Sequence, residues 1–447
     1  MLESPKELTG LLGQLEQKSR QNPDDIELLQ RLARLSLRNG NEDEAARIFE
    51  RIIKNDPQNA QIMVELADCL IRRSAYNDAQ FYLDRALEIR PGFAAAFITL
   101  SRMHEALGVV DKQVSFMMLA ANAAPDKPEV RLALAELLKR YGDFNGAVRQ
   151  YRQVLEIQPD IEPALFSLGT LLMKQGEFSE AMRQFRSIIN NNPGAFDAHF
   201  NLATCLFRQR KYAMAANHFK MAVRKPELAD RAMYLMAQCH FKQGNFDHAI
   251  VVMEKLVESD EKNISYHKCL AEIYEAAKEH DLAAEVYRRL SHIAPERAEF
   301  MIKFAQITVE LADYEKAEKS LEVLFKAHPG HVEGHRILGD IHAMRGSYKS
   351  AIEEYRHALM INENYAEVFA ALASVYRKLE NQPEEHAAMK RAVELGVERP
   401  ELLLRLGELE RILKLPASLD RFKRITELAP DSSCAKEAEY YIRHKAA

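Results

Sequence analysis

Residues 159–193 read PDIEPALFSLGTLLMKQGEFSEAMRQFRSIINNNP, and this stretch decides the fold. Leu165, Leu168, Gly169 and Leu172 recur at helical spacing over 162–174. Ala181, Phe185, Ile188 and Ile189 do the same over 178–191. Gly176 lies between the two runs, where a helix end calls for a left-handed residue. Pro159 and Pro193 bracket the pair, and proline stops a helix. The segment predicts a helical hairpin.

The hairpin recurs along the chain. Pro57, Pro91, Pro125, Pro159 and Pro193 stand thirty-four residues apart, Pro23 precedes them by the same step, and Pro295 and Pro329 resume the phase. A leucine column runs through Leu32, Leu66, Leu134, Leu168, Leu202 and Leu270. A small residue follows each, as in Ala33, Ala67, Ala135, Gly169, Ala203 and Ala271, so that two helix backbones can approach closely. A second small column holds Ala45, Ala79, Ala147, Ala181, Ala215 and Ala351, and bulky residues stand four later, among them Phe49, Tyr151, Phe185, Phe219, Tyr287 and Tyr355. The 447 residues leave room for about thirteen such periods and almost nothing else.

On these columns the chain resembles the tetratricopeptide repeat family over about residues 26–431. The resemblance implies an all-α fold: a right-handed superhelical α-solenoid of antiparallel helix pairs, with the first helix of each pair lining the concave side. The expected organisation is a capping helix in 1–25, repeats one to six in 26–229, repeats seven to twelve in 230–431 and a second capping helix in 432–447. The second half continues the first, with an irregularity near 224–230, where the expected proline is shifted by one. Gln113 and Glu385 replace alanine in the second small column, Pro383 enters the eleventh repeat, and the twelfth is one residue short in its turn and contains Pro416. Irregular stacking is expected at these places.

Glycine and proline number only 17 and 16, which rules out collagen-like and low-complexity classes. The net charge of −5 argues against a general preference for nucleic acid or anionic membrane. Charged residues open the chain, no stretch is long and apolar enough to span a membrane, and 442–447 carry no lipidation or retention signal. These readings point to a cytoplasmic protein. The five cysteines are odd in number and form no CxxC pair; Cys69, Cys205 and Cys239 share one repeat column and read as small core hydrophobes.

The array leaves no room for a catalytic domain, and there is no glycine-rich phosphate loop, HExxH or GxSxG. No catalytic residue, cofactor or metal is expected. His104, His240 and His342 share one column and His199, His267 and His335 another, both read as core or subsurface. His328, His331 and His335, in HPGHVEGH, form the one local triplet, and its spacing matches no standard zinc motif.

The groove is where such an array works. Phe166, Phe200 and Tyr234 form one ladder on its expected concave side, and Met173, Phe207 and Phe241 a second. Arg38, Arg72, Arg140, Lys174, Arg208 and Lys242 run alongside. Further on, the same columns turn to Lys268, Glu275 and Ala276, with Glu272 and Glu299 nearby. Residues 1–229 carry about +1 and the remainder about −6. An aromatic floor with a basic edge suits an extended or helical peptide that carries acidic residues. The candidate partner-binding residues are Phe166, Phe200, Asn201, Tyr234, Phe207, Phe241, Arg140, Lys174, Arg208 and Lys242. Asn201 stands where chaperone-binding family members hold part of a carboxylate clamp. The other clamp columns carry Phe200, Thr204 and Leu235, so no clamp is expected.

The reading is a non-catalytic adaptor that holds protein or peptide partners and supports assembly of a complex, with homo-oligomerisation as a further possibility from the charge gradient. No nucleic acid partner and no membrane insertion are expected. The alternatives are an RNA-binding array, suggested by the basic strip with its aromatics, and a peptide-sensing regulator.

Overall fold

A computed structural model of the chain describes residues 5–444; the expectations drawn from the start and end of the chain lie outside the described residues where they rest on 1–4 and 445–447. Twenty-six helices and no strand occur among the described residues, so the fold is all-α. The quoted stretch forms helices Glu162–Gln175 and Phe178–Asn191, which pack antiparallel.

What ends the first helix of each hairpin is a residue in the left-handed region. Gly176 has φ of 82°, its amide reaches the Met173 carbonyl at 3.1 Å, and the Glu177 amide reaches Leu172 at 2.9 Å. The same turn repeats at residue 40 and every thirty-fourth residue to 414, always with positive φ. Only half of these positions are glycine. Ser74, Arg210, Lys278, Ala312, Glu380 and Lys414 adopt the same conformation with φ between 55° and 65°. A side chain there costs about 1–2 kcal/mol, which the packing on both sides of the turn outweighs.

The two small columns and the bulky column interlock. Tyr151, Tyr355, Phe49, Phe185 and Phe219 are among the largest fully buried side chains. A Cβ at Gly169 would lie 2.7 Å from Cζ of Phe185; at Gly339, 2.5 Å from Cε1 of Tyr355; at Gly407, 2.7 Å from Cε1 of Phe422. Each ring therefore sits directly on a backbone that lacks a side chain. The ring and its seat belong to one hairpin, not to neighbouring ones. Between hairpins, Gly334 plays a similar part, its missing Cβ leaving 2.9 Å to Leu324 and Phe325. Where the bulky residue is tyrosine, burial demands an acceptor. Glu136 accepts from Tyr151, Glu275 from Tyr287, and Asp340 from Tyr355 at 2.6 Å.

The departures from the repeat are accommodated by polar partners. Gln113, 3% exposed, uses its side-chain oxygen to accept from Tyr141 at 2.8 Å, and its backbone carbonyl accepts from Ser101 at 2.8 Å. Glu385 is paired with Arg405. Pro383 falls in the first turn of Gln382–Glu394, the one place in a helix where proline costs no hydrogen bond. The short twelfth turn still seats Phe422 on Gly407. Near 224–230 helix Tyr212–Ala222 is cut to 11 residues, and the next, Pro226–Lys242, grows to 17.

The chain divides into two compact units, Met1–Ala232 and Met233–Ala447. In the first, one continuous apolar cluster runs from Leu12 to Met103. In the second, clusters centred on Leu270 and Tyr287, on Leu321 and Ile337, and on Tyr355 and Leu372 follow one another along the chain. No described helix is long and apolar enough to cross a membrane.

All five cysteines are buried and free. Burial pushes the thiols of Cys69 and Cys239 up to about 12 and those of Cys205 and Cys269 up to about 11. These four are expected to stay unreactive towards a disulfide reagent at mildly alkaline pH and to react fully in concentrated guanidinium. Rapid labelling of any of them in the native chain would contradict their place in the core.

Candidate functional site

The first unit holds seven of the candidate binding residues on the first helices of its hairpins. Phe166 meets Phe185 edge-on, ring centroids 6.0 Å apart. Phe200 is only 5% exposed: Phe219 closes on one side at 5.6 Å and the Arg231 guanidinium covers its face at 4.8 Å. Phe200 is thus a core residue and not an open floor, because the next helix supplies a cation to cover it. Phe207 is half-buried and lies edge-on to Tyr212 at 5.4 Å. Asn201 is half-buried and its side chain makes no hydrogen bond among the described residues.

The cations of this unit fall into two groups. Arg72 lies 3.3 Å from Asp68, and Arg140 lies 2.7 Å from Glu105. Their charge is answered within the fold. Lys174 and Arg208 are exposed and have no ion-pair partner among the described residues; Lys174 stands 5.8 Å above the Phe144 ring. Arg38 in the first repeat is likewise exposed and without an ion-pair partner among the described residues, so the unpaired cations of the strip stand in its first repeat and again at Lys174 and Arg208.

In the second unit Tyr234 lies 5.7 Å from Tyr266, and Phe241 lies 6.1 Å from Phe246. Lys242 is exposed, stands 5.3 Å over Phe241 and has no ion-pair partner among the described residues. A cavity of this unit follows directly in the same columns. It is an open hollow of about 540 Å³ lined by Lys268, Glu272, Glu275, Glu299, Phe300 and Lys303. Lys303 reaches Glu275 at 3.2 Å, and Glu275 also accepts from Tyr287. The columns that mark the end of the aromatic ladder in sequence thus build an acidic hollow in space.

Both histidine columns hold buried and half-buried rings. His104 is 7% exposed and stacks on Phe116 at 5.3 Å, and burial lowers its pKa. In the second column His199, His267 and His335 each direct Nε2 at the backbone carbonyl six residues earlier, at 3.2, 2.9 and 3.1 Å. The loop triplet does not converge as one donor set: Nδ1 of His331 caps a helix by accepting from the Gly334 amide at 3.3 Å, whereas His335 turns to Glu354 at 2.8 Å.

Sequence profiles of the tetratricopeptide repeat match residues 12–62, 39–101, 132–185, 166–228 and 302–367, together more than half of the chain. The chain belongs to the tetratricopeptide repeat family. A further profile, that of anaphase-promoting complex, cyclosome, subunit 3, matches residues 220–290.

Among curated proteins, 140 residues are 29% identical to cellulose synthase operon protein C of Pseudomonas fluorescens (strain SBW25), 31% of this chain and 11% of that protein. Over 173 residues the chain is 20% identical to the Homo sapiens protein O-mannosyl-transferase TMTC1, 38% of this chain and 20% of that one. The tetratricopeptide chain therefore spans a small part of the length of these relatives. Among solved structures, Naa15/Naa10 bound to HypK-THB is similar with a TM-score of 0.46 and 14% identity, covering 92% of this chain and 70% of that one. Yeast Tom70 is similar with a TM-score of 0.39 and 13% identity, covering 94% and 95%.

Within the tetratricopeptide hairpins, what column arithmetic missed is the second partner of each surface group. Acids that neutralise Arg72 and Arg140 lie four and thirty-five residues away, and a spacing of thirty-five across one repeat was there to be read.

Proposed function

We propose that this tetratricopeptide array is a non-catalytic adaptor that binds peptide segments of partner proteins on the first-helix face of its hairpins and so supports assembly of a complex. The observation that supports the reading is the run of exposed cations in successive repeats, Lys174 and Arg208 in the first unit and Lys242 in the second, without an ion-pair partner among the described residues, whereas Arg72 and Arg140 of the same column are paired with acids. Asn201, Phe207, Tyr234 and Phe241 lie beside or on the same helices and supply polar and aromatic contacts. A rigid array binds with little added ordering cost. A partner segment with acidic residues fits the cations.

The first and last helices, Pro5–Gln21 and Ser433–Arg443, act as caps: Leu12 joins the first core cluster, and Ala435 and Ala438 pack with Phe422. Five buried, unpaired thiols suit a reducing compartment, and the cytoplasm is the proposed setting.

The test is Arg208→Glu and Lys242→Glu, singly and together, in quantitative affinity purification followed by anisotropy with acidic peptides drawn from the proteins recovered. Each reversal is expected to weaken binding, the pair by at least tenfold, with helix content unchanged since both side chains are exposed. Equal recovery and equal affinity would remove both positions from consideration.

A further inference from the structure

We propose that His335, Glu354 and His357 form a binding site for a divalent transition-metal ion of the zinc type. His335 stands on helix Val332–Met344, and Glu354 and His357 stand three residues apart on the facing helix Tyr348–Ile361. One donor atom from each residue lies within 4.8 Å of the other two.

The hydrogen bonding of His335 gives the assignment its force. Its Nε2 lies 3.1 Å from the Pro329 carbonyl, which can only accept, so Nε2 carries the proton. In the neutral ring Nδ1 is then a bare lone pair, and it lies 2.8 Å from Oε2 of Glu354. Two lone pairs at that distance need a positive centre between them, which either a proton on Nδ1 or a bound metal ion supplies. An imidazole whose N–H is anchored to a backbone carbonyl, as Nε2 of His335 is, has its plane and its other nitrogen oriented for ligation. Phe325 stacks on the His335 ring at 4.4 Å and fixes its plane.

His357 completes the set from the solvent side. Its Nδ1 is 3.8 Å from Oε2 of Glu354, and its side chain is 54% exposed. Ligands 2.0–2.1 Å from a tetrahedral ion stand about 3.3 Å apart, so binding requires the 2.8 Å His335–Glu354 pair to open slightly and the exposed His357 ring to rotate inward, which leaves a fourth position for water. Two imidazoles and one carboxylate favour zinc-like ions over magnesium or calcium.

The sister positions show what is particular to this hairpin. His199 and His267 repeat the anchored ring. Beside His199 the facing helix puts His218, Nδ1 to Nδ1 at 2.9 Å, and no carboxylate; Nδ1 of His267 has no hydrogen-bond partner among the described residues. Among the described residues the full donor set occurs at His335.

The experiment is titration of the full chain, stripped with a chelator, with Zn2+ by calorimetry and with Co2+ by visible absorption. One saturable zinc site per chain is expected, with a Co2+ band of tetrahedral intensity and no response to Mg2+. His357→Ala, which removes an exposed ring, and Glu354→Gln should each weaken Zn2+ binding at least tenfold and abolish the Co2+ band, while His248→Ala at another exposed ring leaves both unchanged. His357→Ala keeps its helix content whatever Glu354→Gln does. Zinc binding that is absent, or equal in wild type and His357→Ala, would show an ion pair between His335 and Glu354 only and overturn the site.

Discussion

Truncating Phe185 to alanine is expected to cost about 3–5 kcal/mol, the range for a fully buried aromatic ring. The side chain is 0% exposed and its ring rests on the bare backbone of Gly169. No small side chain can rise to fill the space, because the facing position has none. The converse change is informative as well. Gly169→Ala gains helix propensity worth about 0.5–1 kcal/mol, yet its methyl would meet the Phe185 ring at 2.7 Å. Overpacking of that kind costs about 1–3 kcal/mol, so the clash wins and the variant is destabilised. Combining Gly169→Ala with Phe185→Leu removes the clash, and the double variant should be more stable than the sum of its singles by about 0.5–3 kcal/mol. Hydrogen exchange resolved over residues 162–191 is the measurement to use, since a repeat array opens locally before it unfolds as a whole. A neutral Gly169→Ala would sink the interlock. Gly339 beneath Tyr355 and Gly407 beneath Phe422 should respond in the same way.

The interlock also shows how far residue columns carry a structural reading. Periodic apolar residues, spaced prolines and Gly176 are enough for hairpins, because helix period and turn chemistry are local properties. The small and bulky columns are visible too, and the expectation they prompt is that one hairpin nests in the next. In the fold Phe185 seats on Gly169 of its own hairpin. A column shows which positions match in every copy but not which copy they match. The left-handed turn is hidden in half of the repeats for another reason: Arg210 or Lys278 bears no local mark of it, and only the phase of thirty-four reveals it.

The candidate surface was legible in part. Arg208 and Lys242 are exposed. Phe200 has the same column logic as Phe166 but is covered by Arg231, a contact set by the approach of the following helix. The His335–Glu354–His357 set joins residues from two helices, so a search for ligands within one loop finds His328 and His331 instead. Its signal is a separation of nineteen residues, which also brings His199 to His218.

Replacing Arg405 with methionine is expected to cost about 3–5 kcal/mol, since it strands a buried carboxylate. Glu385 occupies the alanine column, is 1% exposed, and meets Arg405 of the next hairpin through two hydrogen bonds of 2.8 and 3.1 Å. Arg405 also lies 3.6 Å from Glu408 and keeps 23% of its side chain in water. The cost of desolvating this pair is therefore unequal. The acid has lost nearly all of its water and depends on one guanidinium. Take away the guanidinium and the acid must either protonate or drag water into the seam between two hairpins. Take away both, as in Glu385→Ala with Arg405→Met, and the column regains the alanine found at Ala317 and Ala351, with an apolar chain in place of the cation. Paired charges replaced by apolar groups of similar volume are often neutral or stabilising by about 1–4 kcal/mol. The double variant should thus recover most or all of what Arg405→Met loses. Thermal unfolding of the three proteins, followed together with exchange over 382–412, separates the outcomes. A double variant as damaged as Arg405→Met alone would mean that the pair holds these two hairpins together by its attraction, and that the alanine column cannot be restored at this position.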